Sequence, residues 1–185
     1  PHIVSREAGL KVDLEKVDLA TLKTEKGKDL KSVHPKGYVP LLELDDGSIL
    51  TEGAVIVQYL ADKAPASGLL PAAGSMERVR TQEWLNYIAS ELHKGFSPLF
   101  GDGSDEVKKA AKAALAEKFG YIEKSLQGKK FVMGEKFTVA DAYLFTVLSW
   151  AGYVKVELPK ALQEYVGRVA ARPAVDAVLG VEDLK

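Results

Sequence analysis

The sequence predicts two small domains, an α/β unit followed by an all-helical unit. Strand-like segments with turn signals occur only before residue 51, whereas apolar residues recur at helical spacing through most of the chain after residue 75. The segment at 61–75, ADKAPASGLLPAAGS, has two prolines and two glycines, which is typical of a linker. We therefore expect one domain over residues 1–66 and a second over residues 75–185.

The composition excludes several classes of partner. The 185 residues carry 25 basic and 26 acidic side chains, and this net charge of −1 is unlike the positive surfaces that bind nucleic acids or anionic membranes. Apolar residues make up 46% of the chain, which is enough for a sizeable core. No apolar run approaches the length of a membrane span, so we expect no membrane partner and a cytoplasmic location.

The residue types that commonly hold metals are scarce or scattered. Cysteine is absent, so this sequence can form no disulfide, thiolate metal site or cysteine nucleophile. The three histidines, His2, His34 and His93, are far apart in the chain and none belongs to an HExxH motif. Because clustered histidines and carboxylates are missing, we expect no metal centre.

The N-terminal half begins with a predicted helix and a predicted strand. Pro1, an apolar pair and then Gly9 as a stop predict a short helix that is already under way at residue 1. After this helix a strand-like pattern begins at residue 11, with apolar positions at Val12, Leu14, Val17 and Leu19. The lysine-rich residues 20–33 that follow predict a short exposed helix or a loop.

A β-hairpin and a helix complete this half. The apolar run at 39–44 predicts a strand, and the segment 45–48 (DDGS) contains the Asp-Gly signal of a tight turn. Residues 49–50 begin the return strand. A helix then begins near Thr51 and carries apolar residues at helical spacing, namely Val55, Ile56, Tyr59 and Leu60.

The chain after the linker is predicted to be helical throughout. Thr138 and Asp141 are spaced as a capping box, with aspartate in the usual glutamate position. The predicted helices lie at roughly 75–100, 105–127, 138–153, 159–171 and 174–180. Burial on nearly all sides is expected for the apolar run Tyr143, Leu144, Phe145, Val147 and Leu148.

The Val39-Pro40 pair is the first candidate binding element. Proline cannot donate to a strand ladder, so it marks an edge or an end of the strand that it opens. A cis bond would turn the Val39 backbone outward, where a peptide-like ligand could pair with its N–H and C=O groups. From spacing alone we expect the ordinary trans bond, because only about 5–6% of X–Pro bonds are cis.

The segment 51–53 (TEG) is the second candidate. The N-terminus of a helix offers free N–H groups to a carboxylate, while the Glu52 carboxylate could pair with an ammonium group. Gly53 would let a ligand approach the backbone closely. These features would recognise both ends of an amino-acid head group, but simple helix capping by Thr51 is the interpretation that the pattern favours.

A polar strip on the first helix after the linker is the third candidate. Asn86, Ser90 and His93 lie together on the flank of a core stripe, and Lys94 follows one step round the helix. Such a strip suits the wall of a cleft between domains, although an ordinary half-exposed helix is narrowly favoured without other information. The core stripe itself contains Leu85, Ile88, Ala89, Leu92 and Phe96.

The order of these elements resembles that of glutathione transferases. Three segments look closest to the bacterial beta class: HPKGYVPLLELDDGSILTEGAVIVQYLAD, WLNYIASELHKGFSPLF and FTVADAYLFTVLSW. The resemblance covers essentially the whole chain. It implies a thioredoxin-like N-terminal domain, a helical-bundle C-terminal domain, a homodimer, and glutathione bound in the cleft between the domains.

The resemblance also implies which residues hold glutathione. Val39 would hold the cysteinyl backbone ahead of a cis Pro40, and Glu52 with Gly53 would hold the γ-glutamyl end. His93 matches the position that this class places near the sulfur, and it is the expected catalytic residue. The cleft-facing positions of the helical domain match Asn86, Ser90, His93 and Lys94.

Two features depart from the family's pattern. The family's lysine after the second strand aligns with Leu22, and Lys23 lies beside it. The family's first strand, and the turn that carries its cysteine, would occupy roughly a dozen residues before Pro1. We therefore expect that the natural chain begins earlier, and that a chain without this strand has a weakened N-terminal domain.

The predicted activity is that of a glutathione transferase, which conjugates the glutathione thiol to electrophilic small molecules, with glutathione-dependent thiol transfer as a related reaction. Because cysteine is absent, a non-catalytic glutathione-binding or dimerisation module of the same fold stays open as an alternative. The electrophile, and the choice among detoxification, catabolism and disulfide reduction, are not predicted. Aromatic residues that either line the acceptor pocket or pack the core are Tyr38, Phe96, Phe100, Trp150 and Tyr153.

Overall fold

The N-terminal half combines short helices with two small antiparallel ladders. The computed structural model describes residues 1–182, so the last three residues of the second predicted domain lie outside the described residues. The elements of this half are α1 (His2–Glu7), β1 (Val17–Asp18), β2 (Lys23–Thr24), α2 (Leu30–Val33), β3 (Leu42–Glu43), β4 (Ile49–Leu50) and α3 (Gly53–Lys63).

The strand predicted from residue 11 is wrong in its extent. Only Val17 and Asp18 form a ladder, and their partners are Thr24 and Lys23 of β2. Residues 11–16 have no strand structure. The Lys16 carbonyl accepts the Glu25 N–H at 2.8 Å, but no strand among the described residues pairs with the backbone of residues 11–15. The lysine-rich segment is neither one helix nor simply a loop, since it contains β2 and also α2.

The predicted hairpin is confirmed. Strands β3 and β4 pair with Leu42 opposite Leu50, and Gly47 adopts a φ of 80° that the tight turn requires. The turn closes with hydrogen bonds of 2.9 Å between Leu44 and Ser48 and between Gly47 and Leu44. The ladder is shorter than the predicted strand at 39–44, because Pro40 has no N–H to donate.

The C-terminal half is helical, as predicted, but its first helix is interrupted. The helix predicted at 75–100 contains a π-helical turn, which inserts an extra residue and changes the direction of the side chains that follow it. The elements are α4 (Met76–Tyr87), the π-turn (Ile88–His93), α5 (Lys94–Phe96), a 3₁₀ turn (Ser97–Leu99), α6 (Asp105–Ser125), α7 (Val139–Tyr153), α8 (Lys160–Ala170) and α9 (Pro173–Val181).

Helix α7 lies at the centre of the core and is anchored at its start by a buried carboxylate. Asp141 is fully buried, and its two oxygens accept hydrogen bonds of 2.9 Å from the Thr138 and Val132 N–H groups. The Tyr165 hydroxyl of α8 donates a further bond of 2.9 Å to the same carboxylate. The predicted capping box is therefore present, and it also joins α7 to α8 and to the loop before it.

Helices of the two halves pack directly on each other. Helix α1 packs against α9, and α3 packs against α7. The Arg172 guanidinium binds the Glu7 carboxylate with two bonds, of 2.6 and 2.8 Å, which fasten α9 to α1. The contact of α3 with α7 forms a cleft between the two halves.

Within residues 1–182 no helix combines the length and apolar character needed to cross a bilayer.

Candidate active site

The start of α3 lies against the side of α7. A methyl group placed at Gly53 would lie 3.6 Å from Pro40 Cγ and 4.0 Å from Tyr143 Cζ, so these three residues border one space. The Val39–Pro40 bond beside it is cis. The expectation of a trans bond from spacing alone is therefore wrong, and the resemblance gives the correct isomer. The loop that contains Pro40, the N-terminal end of α3 and one side of α7 therefore meet at this point.

The backbone of Val39 is open. The residue is 43% exposed, and its N–H and C=O groups have no hydrogen-bond partner among residues 1–182. Strand β3 begins only at Leu42, so the ladder does not use them. Unpaired, accessible backbone groups of this kind can receive an extended peptide.

Glu52 stands at the start of α3 in a strained backbone conformation. Its φ is 70° and its ψ is 110°, a region that a residue with a side chain rarely adopts. Its carbonyl accepts the N–H groups of Val55 and Ile56, each at 2.9 Å. The Glu52 side chain makes no capping bond, and neither does Thr51, so the expectation of simple capping by Thr51 is wrong. The N–H groups of Gly53 and Ala54 are left without partners among the described residues.

The Glu52 carboxylate carries one strong partner. It is 64% exposed, and Lys36 Nζ donates to it at 2.6 Å and to Thr51 Oγ1 at 3.0 Å. The hydrogen bond and charge of Lys36, with a smaller contribution from Lys94, lower the pKa of Glu52 below its usual 4.5. Glu52 is therefore ionised at neutral pH, with free acceptor capacity for an ammonium group.

Lys36 was not identified from the sequence. The resemblance drew attention to Leu22 and Lys23, but Lys23 lies in β2 opposite Asp18, and no described contact joins it to Glu52. The sequence feature that could have identified Lys36 is its position in the segment HPKGYVP, three residues before Val39.

The π-turn runs through the polar strip, since it contains Ser90 and His93 and lies between Asn86 and Lys94. Asn86 and Ser90 are exposed, and their one mutual bond runs from Ser90 Oγ to the Asn86 carbonyl at 3.0 Å. No described hydrogen bond joins either residue to the first domain. His93 is half-buried and Lys94 is exposed; the charge of Lys94 affects the pKa of both His93 and Glu52. The structure thus brings His93 and Lys94 to the cleft, and leaves Asn86 and Ser90 on open surface.

The His93 ring is held by Tyr143 and Trp150. Its Nδ1 lies 2.9 Å from the Tyr143 hydroxyl, and its centroid lies 4.7 Å from that of Trp150, nearly edge-on at 78°. Burial, and then the positive charge of Lys94, lower the pKa of His93 below its usual 6.5. The imidazole is therefore neutral at pH 7.

Tyr143 is the second residue that sequence reasoning missed. Its position in the apolar run of α7 predicted burial in the core, whereas it is only partly buried and its hydroxyl reaches the cleft. Burial, together with the charge of Glu52, raises its pKa to about 12, so it is a neutral phenol. The hydroxyl itself, on an otherwise apolar helix, was the available signal. The other residues of that run are buried as expected.

The aromatic residues sort into core and surface. Phe96 is completely buried and belongs to the core, as do Leu85, Ile88 and Leu92 of the predicted stripe. Phe100 is 56% exposed and packs edge-on against Trp150 at 5.5 Å. This places an open aromatic surface next to His93. The remaining candidates, Tyr38 and Tyr153, are exposed.

No group of three or more histidine, aspartate or glutamate side chains within residues 1–182 has the geometry of a metal site. Oxygen and nitrogen donors at the cleft are instead spread over α3, the π-turn and α7. The arrangement can bind an amino-acid head group at one end and place a neutral imidazole at the other.

Family models match both halves of the chain. Residues 1–63 match the glutathione S-transferase N-terminal domain, and residues 87–173 match the glutathione S-transferase C-terminal domain. Glutathione S-transferase GstA of Escherichia coli O157:H7 is 48% identical over 100% of this chain and 93% of that protein. Glutathione S-transferase GST-4.5 of Xanthomonas campestris is 35% identical over 99% and 93%.

Solved structures give the same result. A ternary complex of BphK, a bacterial GST, is 50% identical with a TM-score of 0.97, over 100% of this chain and 94% of that one. A sphingomonad glutathione S-transferase complexed with glutathione is 45% identical with a TM-score of 0.95, and a bacterial beta class enzyme of Sphingomonas chungbukensis is 44% identical with a TM-score of 0.94, each over the same shares of the two chains. The chain is a transferase with a thioredoxin-like domain and a helical domain, and it belongs to the glutathione S-transferase family.

Proposed function

We propose that the protein binds glutathione between the start of α3 and His93, and conjugates its thiol to electrophilic small molecules. The observation that carries the proposal is the open start of α3, where an ionised carboxylate and two N–H groups without partners among the described residues lie beside the unpaired backbone of Val39. These groups complement the ammonium, the carboxylate and the peptide backbone of a γ-glutamyl peptide.

The γ-glutamyl end is proposed to bind at Glu52 and Gly53. Its ammonium group would bind the Glu52 carboxylate, which retains acceptor sites beyond its bond to Lys36. Its carboxylate would bind the free N–H groups of Gly53 and Ala54, at the positive end of the α3 dipole. The solved sphingomonad relative complexed with glutathione supports glutathione as the ligand.

The cysteinyl residue is proposed to pair with the Val39 backbone, which would direct its thiol towards the helical domain. A free thiol titrates near 8.5, so the site must favour the thiolate with hydrogen-bond donors or positive charge. His93 and Lys94 are the candidates on that side. Asn86 and Ser90 are proposed as further glutathione contacts, on the ground that both are exposed and close to His93 in the chain. His93 is the proposed catalytic residue, because its half-buried ring is fixed in place.

The electrophile is proposed to lie on the aromatic surface formed by Trp150 and Phe100, which adjoins His93. From membership of the family we also infer a cytoplasmic location and a role in detoxification.

Steady-state assays with an activated aryl chloride test the conjugation step directly. Replacing His93 with alanine should lower kcat more than it lowers the affinity for glutathione.

Calorimetric titration with glutathione tests the binding site. Glu52→Gln should weaken binding roughly 10- to 100-fold, because a charge-assisted hydrogen bond contributes about 1.5–3 kcal/mol. The matched control is Glu43→Gln, which removes the same charge from an exposed position in β3 and should bind like the parent. Equal affinities for the two variants would contradict the assignment of Glu52.

We further infer a homodimer. Exposed apolar side chains occur on α3 and α4, where Val55, Met76 and Val79 are 46–64% exposed. These helices lie side by side, since Arg78 Nη1 and Nη2 bind Asp62 at 2.9 and 2.7 Å. Light scattering should give twice the chain mass, and Val79→Glu should reduce it towards the monomer. The same change at exposed Val107 of α6 is the control, and a monomeric parent protein would contradict the inference.

A further inference from the structure

The bond between Tyr143 and His93 leaves one imidazole nitrogen for the ligand. His93 Nδ1 and the Tyr143 hydroxyl are 2.9 Å apart, and within residues 1–182 the hydroxyl has no other hydrogen-bond partner. His93 Nε2 likewise has none among those residues. Because a neutral imidazole has one N–H and one lone pair, the direction of the Tyr143 bond decides what Nε2 can do.

The chemistry of the two groups fixes that direction. A neutral imidazole nitrogen is a much stronger base than a phenol oxygen, and a phenol O–H is a good donor. Both groups are neutral at pH 7, since burial lowers the pKa of His93 and raises that of Tyr143 to about 12. The favoured arrangement therefore has the Tyr143 hydroxyl donating to Nδ1, with the imidazole proton on Nε2.

We propose that Tyr143 is a positioning residue that holds His93 in the Nε2–H form, so that His93 acts as a neutral hydrogen-bond donor to the glutathione sulfur and not as a general base. This role depends on the glutathione site proposed above. The thiol proton leaves to solvent, the thiolate accepts the Nε2–H bond, and His93 keeps the same protonation state throughout.

The surroundings of the pair favour this state. Lys94 is the charged group that acts on His93 from its own helix, and its positive charge opposes formation of an imidazolium. From α3, the Glu52 carboxylate faces Tyr143 and opposes loss of the phenol proton, while Lys36 partly neutralises that carboxylate. Trp150 packs edge-on against His93, Phe100 packs against Trp150 in turn, and neither ring titrates.

Tyr143 also connects the two ends of the site. Its ring carbon Cζ lies beside the position of Gly53, where the γ-glutamyl end is proposed to bind, and its hydroxyl holds the imidazole at the sulfur end. Substituting phenylalanine removes only the hydroxyl and keeps the ring packing. We therefore expect Tyr143→Phe to fold normally and to separate thiol activation from glutathione binding.

Nitrogen-15 NMR of the imidazole in the glutathione-free protein is the first test. The parent protein should show Nδ1 without a proton and Nε2 with one, and His93→Asn identifies which of the three histidines gives the signals. Tyr143→Phe should show a mixture of the two tautomers. A proton on Nδ1 in the parent would overturn the proposal. Because no glutathione is present, this result is independent of the proposed function.

Thiol activation is the second test. With Tyr143→Phe, the pKa of bound glutathione, read from thiolate absorbance and from the pH dependence of kcat/KM, should move upward, and kcat at pH 6.5 should fall about 10-fold with glutathione affinity within about twofold of the parent. Tyr121→Phe, an exposed change on α6, is the control and should match the parent. An unchanged pH profile in Tyr143→Phe would overturn the role. Failure of the parent itself to bind glutathione would instead contradict the proposed function.

Discussion

Helices α3 and α7 each begin beside a carboxylate, and the two carboxylates are in opposite environments. Asp141 at α7 is fully buried and accepts bonds from two backbone N–H groups and two hydroxyls. Glu52 at α3 is 64% exposed, has a positive φ and leaves two helix N–H groups without partners among the described residues. A completed set of hydrogen bonds indicates a structural role, whereas strain with unfilled bonding capacity indicates a ligand site.

The strongest way to test this contrast is to remove Asp141. Asp141→Ala leaves the Val132 and Thr138 N–H groups and the Tyr165 hydroxyl buried without their acceptor. We expect the free energy of unfolding, measured with urea, to fall by about 3–5 kcal/mol. Asp105→Ala, in the exposed first turn of α6, is the control and should cost less than about 1 kcal/mol. If Asp141→Ala also lowered the free energy of unfolding by less than about 1 kcal/mol, the structural role of Asp141 would be contradicted.

Replacing Glu52 with glycine should have effects of opposite sign on stability and binding. Glycine tolerates the positive φ, so the strain is relieved and the free energy of unfolding should rise by about 1 kcal/mol. Glutathione affinity should fall roughly 10-fold or more, because the carboxylate is lost. Urea unfolding and calorimetry on the same preparation check both effects. A lower free energy of unfolding together with unchanged glutathione affinity would mean that Glu52 has a structural role and does not bind glutathione.

Two tyrosines sharpen the contrast further. Tyr165→Phe removes one buried donor to Asp141 and should lower the free energy of unfolding by about 1–2 kcal/mol without changing kcat/KM. Tyr143→Phe should do the reverse, with little effect on stability and a clear loss of turnover. Urea unfolding and steady-state kinetics on both variants provide the check. Similar profiles for the two would mean that both hydroxyls are structural.

The smallest expected effect is in the pH dependence of glutathione binding. Lys36 lowers the pKa of Glu52, so the carboxylate keeps its charge as the pH falls through the usual value of 4.5, and binding should persist to below that pH. Lys36→Met removes this cause, and binding should then be lost at a higher pH than in the parent. Calorimetry from pH 7 down to about pH 3.5 covers the transition. Identical pH dependence in both proteins would contradict the role of Lys36.

The sequence predicted those features that are set by local chemistry. The Asp-Gly turn, the Thr138–Asp141 spacing and the helical periodicity each depend on residues close together in the chain, and all three were confirmed. The resemblance added the family, and with it the thioredoxin-like and helical domains.

Features set by distant contacts were not predicted. Val12 and Leu14 show strand-like alternation, but a strand forms only where a partner pairs with it. The π-turn changes the spacing that placed Asn86 and His93 on one strip. Tyr143 follows the apolar period of α7, and only the approach of α3 and the π-turn makes it part of the site.

Backbone NMR during a glutathione titration tests the contrast between the two helix starts most directly. The amide signals of Val39, Gly53 and Ala54 should shift as glutathione is added, because these N–H groups lack protein partners among the described residues. The amides of Val132 and Thr138 should not move, because Asp141 already accepts their bonds. Shifts at the Asp141 site, with none at the start of α3, would contradict the account.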